Sequence, residues 1–191
     1  EKRKGRRDAA VVFVARPEKK KPAAFGTVPE GLRALAEAAA PPEAGNDGSL
    51  FTIPLDAGAP ARRLYVLGTG TGEEMSPRKA RGLLRAAVRA LEKNGESSAL
   101  VDFPFTLLRM DAAEAREFVA RTVLLASYAF PRFKSGEKAP GSLAEVALDG
   151  GRGAFAGSTP RERKDVAAEA ATVAATAAFV RDLGNTPSNH M

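Results

Sequence analysis

Apolar residues recur along this chain with two alternating periods. Residues 9–15 (AAVVFVA) form a continuous β-branched run closed by Arg16-Pro17, the pattern of a buried strand. Residues 16–28 are polar and Pro-punctuated, with Lys19-Lys20-Lys21-Pro22 among them, and read as a loop. Pro29 then opens a helix whose apolar face is Leu32, Leu35, Ala36 and Ala39, ended by Pro41-Pro42. A Gly-, Asn- and Asp-rich loop at 43–48 leads to a strand at Leu50–Leu55. Asp56–Pro60 reads as a turn and Arg63–Gly68 as the next strand.

The second half repeats the alternation with clearer punctuation. Ser76 is placed to cap a helix, Pro77 suits its first position, and Ala80, Leu83, Leu84, Ala87, Val88 and Leu91 share one face. Asn94-Gly95 supplies its stop. Ala99–Phe103 is a fourth strand. Asp111 with Glu114 forms a capping box for a helix lined by Ala115, Phe118, Val119, Thr122 and Ala126. Leu143–Leu148 is a fifth strand. Thr159-Pro160-Arg161-Glu162 starts a long Ala-rich helix with Val166, Ala170, Val173, Ala177 and Val180 on its face. Strands alternating with helices predict an α/β domain, a mixed sheet of about five or six strands between helices, followed by a helix leading out of it.

Composition narrows the chemistry. The chain has 191 residues, no Cys, no Trp and one His, which removes Cys-based zinc sites, His clusters and most catalytic triads. The absence of Cys fits a reducing compartment. The net charge of +6 is uneven: residues 1–7 (EKRKGRR) hold five basic side chains and one acid, net +4, leaving +2 for the rest. The positive charge therefore reads as a terminal arm (Lys2, Arg3, Lys4, Arg6, Arg7) giving at most weak nucleic-acid binding, without aromatic interleaving. No uncharged apolar stretch is long enough to span a membrane.

Few residues offer a site. Gly68-Thr69-Gly70-Thr71-Gly72 lies between a strand and a helix, where glycines allow backbone amides to approach a phosphate. Position 73 is Glu, which breaks the Gly-x-Gly-x-x-Gly spacing, and Glu73-Glu74 repel an anion there. Gly68, Gly70 and Gly72 are thus weak phosphate-loop candidates, and a plain strand-to-helix loop is the expectation. His190 stands without a second metal-binding neighbour, no Ca²⁺-loop pattern marks the carboxylates, and Ser127-Tyr128 lacks a nucleophile elbow.

The C-terminal end carries a specific pattern. Arg181-Asp182-Leu183-Gly184-Asn185-Thr186-Pro187-Ser188-Asn189 resembles the Arg-Asp-Leu-x-Asn-x-Pro-x-Asn segment of leucyl aminopeptidases (cytosol aminopeptidases). Two further stretches are similar to that family: Arg63–Gly70 (RLYVLGTG), and Leu125–Ser135 (LASYAFPRFKS), with Phe133 in place of the family's Tyr. The resemblance spans residues 63–189 in the family's order. Gly184 departs from the bulkier apolar residue common there.

The resemblance implies a macro-domain-like N-terminal domain at 1–158, with the basic arm at 1–7. A connecting helix at 159–183 and a linker beginning at 184–191 would follow, the linker carrying Asn185, Pro187 and Asn189. It implies that catalytic and metal-binding residues lie beyond Met191, in a C-terminal domain holding two divalent metals (Mn or Zn), and that this segment binds none and is inactive alone. The implied parent removes N-terminal residues from peptides, is cytoplasmic, and assembles as a homo-oligomer, a hexamer by resemblance. The alternative is a free-standing macro-like module for ADP-ribose-type or nucleic-acid ligands, with Asp8 as its adenine-binding acid.

Overall fold

The computed structural model describes residues 6–16, 23–24, 30–128, 143–148 and 158–186. Five strands form one mixed sheet: β1 (Arg7–Val14), β2 (Leu50–Pro54), β3 (Ala61–Gly68), β4 (Ser98–Asp102) and β5 (Glu145–Leu148). Their order is β2-β3-β1-β4-β5, with β2 antiparallel to β3 and the other neighbours parallel. The central strand β1 is the most apolar run of the chain, and Ala9–Val14 are all buried, as a strand covered on both faces requires.

The period-two alternation along β1 and β3 divides the core. Ala9, Val11, Phe13, Tyr65 and Leu67 face helices α2 (Pro77–Lys93) and α3 (Ala112–Ala126). Ala10, Val12, Val14, Leu64 and Val66 face the other way, onto Leu32 and Ala36 of helix α1 (Glu30–Ala39). Phe13, Phe103 and Phe105 meet edge to face, at centroid distances of 5.1 and 5.6 Å.

The punctuation acts as the sequence predicts. Ser76 accepts the Lys79 amide at the start of α2, with Pro77 next to it, and Asn94-Gly95 ends it. Asp111 accepts the amides of Ala113 and Glu114 at the start of α3, a one-sided cap without the return bond from Glu114 that the expected capping box needs. At the start of α4 (Pro160–Asn185), Thr159 and Glu162 close a reciprocal capping box. The hydrogen bonds that Glu162 accepts from the Thr159 amide and hydroxyl hold its carboxyl below the usual range.

Helix α4 differs from the sequence reading at its end and on its face. It runs through Gly184 to Asn185, two residues past the expected stop at Leu183. The end is set at Thr186, which is extended (φ −79°, ψ 123°) because the following Pro187 disfavours the helical region for it. The expected face is also only partly covered: Ala170 is buried, Val166, Val173 and Ala177 are half-buried, and Val180 is 61% exposed. α4 rests on α3, so only a narrow stripe is covered. The two run in the same direction, since Arg116 lies near Glu162 at one end and Tyr128 bonds Asp182 at the other.

Candidate functional site

The two C-terminal motif stretches converge on one side chain. Tyr128, just after α3, donates its hydroxyl proton to Asp182 Oδ1 at 2.6 Å. Asn185 Nδ2 donates back to the Tyr128 oxygen at 3.4 Å. The Arg181 guanidinium lies over the phenol ring, 5.2 Å from its centroid. Residues 181, 182 and 185 reach Tyr128 together because spacings of three and four share a helix face. Thr186 closes the helix by donating its amide to the Asp182 and Leu183 carbonyls and its hydroxyl to the Asp182 carbonyl. Loss of hydration and the Asp182 carboxylate push the Tyr128 phenol above its ordinary pKa. Leu183 is not drawn into this cluster and is 47% exposed, beside exposed Phe179 and Val180. Pro187, Asn189, Phe133 and His190 lie outside the described residues. The cluster fixes the end of α4.

The glycine loop is spent on packing. The amides of Gly68, Thr69 and Gly70 donate to the carbonyls of Ser49, Val14 and Gly45, so none of these three is free for an anion. A Cβ on Gly68 would overlap the Asn46 carbonyl, and one on Gly72 would sit 2.7 Å from the Ala15 Cβ. Gly70 and Gly72 have φ of 77° and 76°, which glycine adopts without strain.

Asp8 is spent as well. Its carboxylate accepts the amides of Ser97 and Ser98, at 3.0 and 3.2 Å, and the Ser97 hydroxyl, with Arg62 at 3.6 Å. It lies at the N-terminal end of β1, whereas ligands of open parallel sheets bind at the C-terminal ends. An adenine-binding role for Asp8 is not supported.

The arm is shorter than its sequence suggests. Arg6 donates to the carbonyls of Leu55, Asp56 and Ala61, tying the chain to the β2–β3 turn. Arg7 is the first residue of β1 and pairs with Glu145 of β5 at 2.8 Å. Lys2, Arg3 and Lys4 lie outside the described residues. Positive charge also gathers on α2, where Arg81 and Arg85 face Arg121 of α3 and Arg181 of α4 across a cleft of about 290 Å³. Counting charge by segment obscured this set. Its one sequence signal was the run of arginines four apart on α2, Arg81, Arg85 and Arg89, of which the first two line the cleft.

Among the described residues no three His, Cys, Asp or Glu side chains are grouped to hold a metal. The pair of metals implied by the resemblance therefore does not fit these residues. None of the described helices is long and apolar enough to cross a membrane.

The chain is 33% identical over 138 residues to a probable cytosol aminopeptidase of Stutzerimonas stutzeri (69% of this chain, 26% of that protein). It is 32% identical over 132 residues to one of Geotalea uraniireducens (68% and 25%). It thus spans about a quarter of the length of these curated relatives. Tomato leucine aminopeptidase shares the fold, with a TM-score of 0.69 at 20% identity over 98% of this chain and 37% of that one. So does the bottromycin maturation enzyme BotP, with a TM-score of 0.62 at 21% identity over 96% and 34%. Residues 11–137 match the model of the cytosol aminopeptidase family, N-terminal domain, and the chain belongs to that family through this domain.

Proposed function

We propose that this chain is the non-catalytic N-terminal domain and connecting helix of a leucyl-aminopeptidase-like metalloenzyme. The parent removes N-terminal residues from peptides in the cytoplasm. The observation that carries this reading is the family match over 11–137, joined to a long helix that packs mainly on α3 among the described residues and ends in the Arg181–Asn185 motif with Phe179, Val180 and Leu183 exposed. An apolar helix end of this kind suits a covering element, and the rest of the parent chain is the natural one. The domain's own residues cap, pair and pack. The water-activating pair of divalent metals, Mn or Zn, belongs in this reading to the catalytic domain after residue 191. Assembly into a homo-oligomer, a hexamer in keeping with the family, is part of the same proposal. Linker residues Pro187 and Asn189 would enter the catalytic domain.

The test compares two proteins. The purified 191-residue chain is expected to release no product from leucyl-p-nitroanilide with Mn²⁺ or Zn²⁺ above a buffer control. The product of the coding sequence extended past Met191 is expected to turn it over in a metal-dependent way. Metal-dependent turnover by the 191-residue chain alone would overturn the assignment.

A further inference from the structure

Helix α2 carries more charge than its fold needs. Residues 77–93 contain six basic side chains (Arg78, Lys79, Arg81, Arg85, Arg89, Lys93) and one acid (Glu92), so 6 − 1 gives a net +5. Arg81 and Arg85 stand one turn apart, a spacing at which like charges destabilise a helix. Across the cleft, Arg121 of α3 and Arg181 of α4 bring two more guanidinium groups to the same space, and among the described residues no acidic side chain lines it.

The fold pairs one of the four cations and leaves the other three without an ion pair among the described residues. Arg121 pairs with Glu117 at 2.9 Å. Among the described residues, Arg81, Arg85 and Arg181 form no ion pair. Arg81 is held over the Phe118 ring at 5.5 Å and Arg181 over Tyr128 at 5.2 Å, contacts that orient a guanidinium without cancelling its charge. Four Arg against Glu117 and Asp182, which shares Tyr128 with Arg181, leave a local +2 around a concave space, where the potential is focused. Thr122 supplies one hydroxyl and Phe118 an apolar wall.

We infer that this cleft between α2, α3 and α4 binds a small phosphorylated molecule carrying two or more negative charges. The guanidinium fork matches phosphate oxygens in pairs, and phosphate groups bring several charges on one compact body. The volume, about 290 Å³, stands at the lower end of small-molecule sites and favours a compact anion over a polymer. This site is separate from the glycine loop and does not depend on the aminopeptidase reading.

Isothermal titration of the protein at low salt with pyrophosphate, ADP, citrate and a short DNA duplex tests it. Pyrophosphate and ADP should each bind one to one, with Kd of about 1 mM or tighter. Equal affinity for the two places recognition in the phosphates, and tighter ADP binding extends it to the organic part; either result upholds the site. Arg85→Gln should weaken pyrophosphate binding about tenfold or more, whereas Arg89→Gln, on the same helix outside the cleft, should change it less than about twofold. Circular dichroism melts establish that both variants fold, and Arg81→Gln replaces Arg85→Gln if that variant melts early. The inference is overturned by no saturable binding up to about 10 mM. It is equally overturned by the same loss in both variants, by citrate binding as tightly as pyrophosphate, or by duplex DNA outcompeting pyrophosphate for Arg85.

Discussion

Tyr128 and Asp182 are joined by a 2.6 Å hydrogen bond across 54 positions of sequence. The bond ties the end of α3 to the end of α4, so the last turns of α4 are held where α3, its main neighbour among the described residues, stops. Tyr128→Phe removes the donor and leaves the ring under Arg181. Amides at 181–186 should then exchange faster with solvent, while those at 166–174 keep their protection. Unchanged exchange at 181–186 would show that the ring contact alone holds the helix end.

Tyr65 and Glu96 form a second long-range pair, buried behind α2. The phenol donates to Glu96 Oε1 at 2.7 Å, and Arg63 donates to the same oxygen at 2.5 Å. Burial, then the bond to the Glu96 carboxylate, pushes the Tyr65 pKa up to about 12. A raised folded-state value means the neutral phenol is favoured by the fold. This stabilisation is complete below the unfolded value of about 10 and is lost as pH rises toward the folded value. Absorbance titration of the two tyrosines should therefore show Tyr65 ionising near the alkaline unfolding transition. Glu96→Ala removes the carboxylate acceptor of the buried hydroxyl and the partner of Arg63, and should cost about 1–3 kcal/mol in urea melts.

Asp8 gives the opposite dependence on the acid side. The Ser97 hydroxyl, followed by the Ser97 and Ser98 amides and Arg62, holds its carboxyl below the usual range against the opposing effect of burial. A depressed folded-state value contributes stability that is present above the unfolded value of about 3.9 and is lost as pH falls through the folded one. Urea midpoints should drop as pH falls below about 4, and Asp8→Asn should flatten part of that slope. A slope identical in the variant would remove Asp8 from the acid response.

Two glycines should respond in opposite directions to Ala. Gly68→Ala drives a methyl into the Asn46 carbonyl and should cost about 1–3 kcal/mol. Gly82 lies within α2 with nothing within 4 Å of an added Cβ, so Gly82→Ala should stabilise by about 0.5–1 kcal/mol. Stabilisation by Gly68→Ala would mean that the loop does not pack as described.

The core gives the plainest magnitude. Leu84 is fully buried on the face that α2 presents to the sheet. Leu84→Ala should cost about 2–5 kcal/mol, with the spread set by how far the site collapses. A loss below about 0.5 kcal/mol in denaturant melts would place that face in solvent.

Local signals determined most of the elements. The β-branched run of β1, the Ser76-Pro77 start of α2 and the Thr159–Glu162 box of α4 are short-range chemistry, written in adjacent residues, and each stands where its sequence predicts. The resemblance to the family was legible for the same reason, since Arg181-Asp182-Leu183 is contiguous. What sequence could not decide is which side chains from distant elements meet. That Arg181, Asp182 and Asn185 gather on Tyr128, that Asp8 is consumed by Ser97 and Ser98, and that Arg81, Arg85, Arg121 and Arg181 share one cleft follow from helix packing and strand order. The positive excess at residues 1–7 is legible along the chain, but such a count says nothing about which other cations a fold brings together without acidic partners. Gly184 makes the same point at one residue: its composition suggested a stop, and the proline two residues beyond the helix set the end instead.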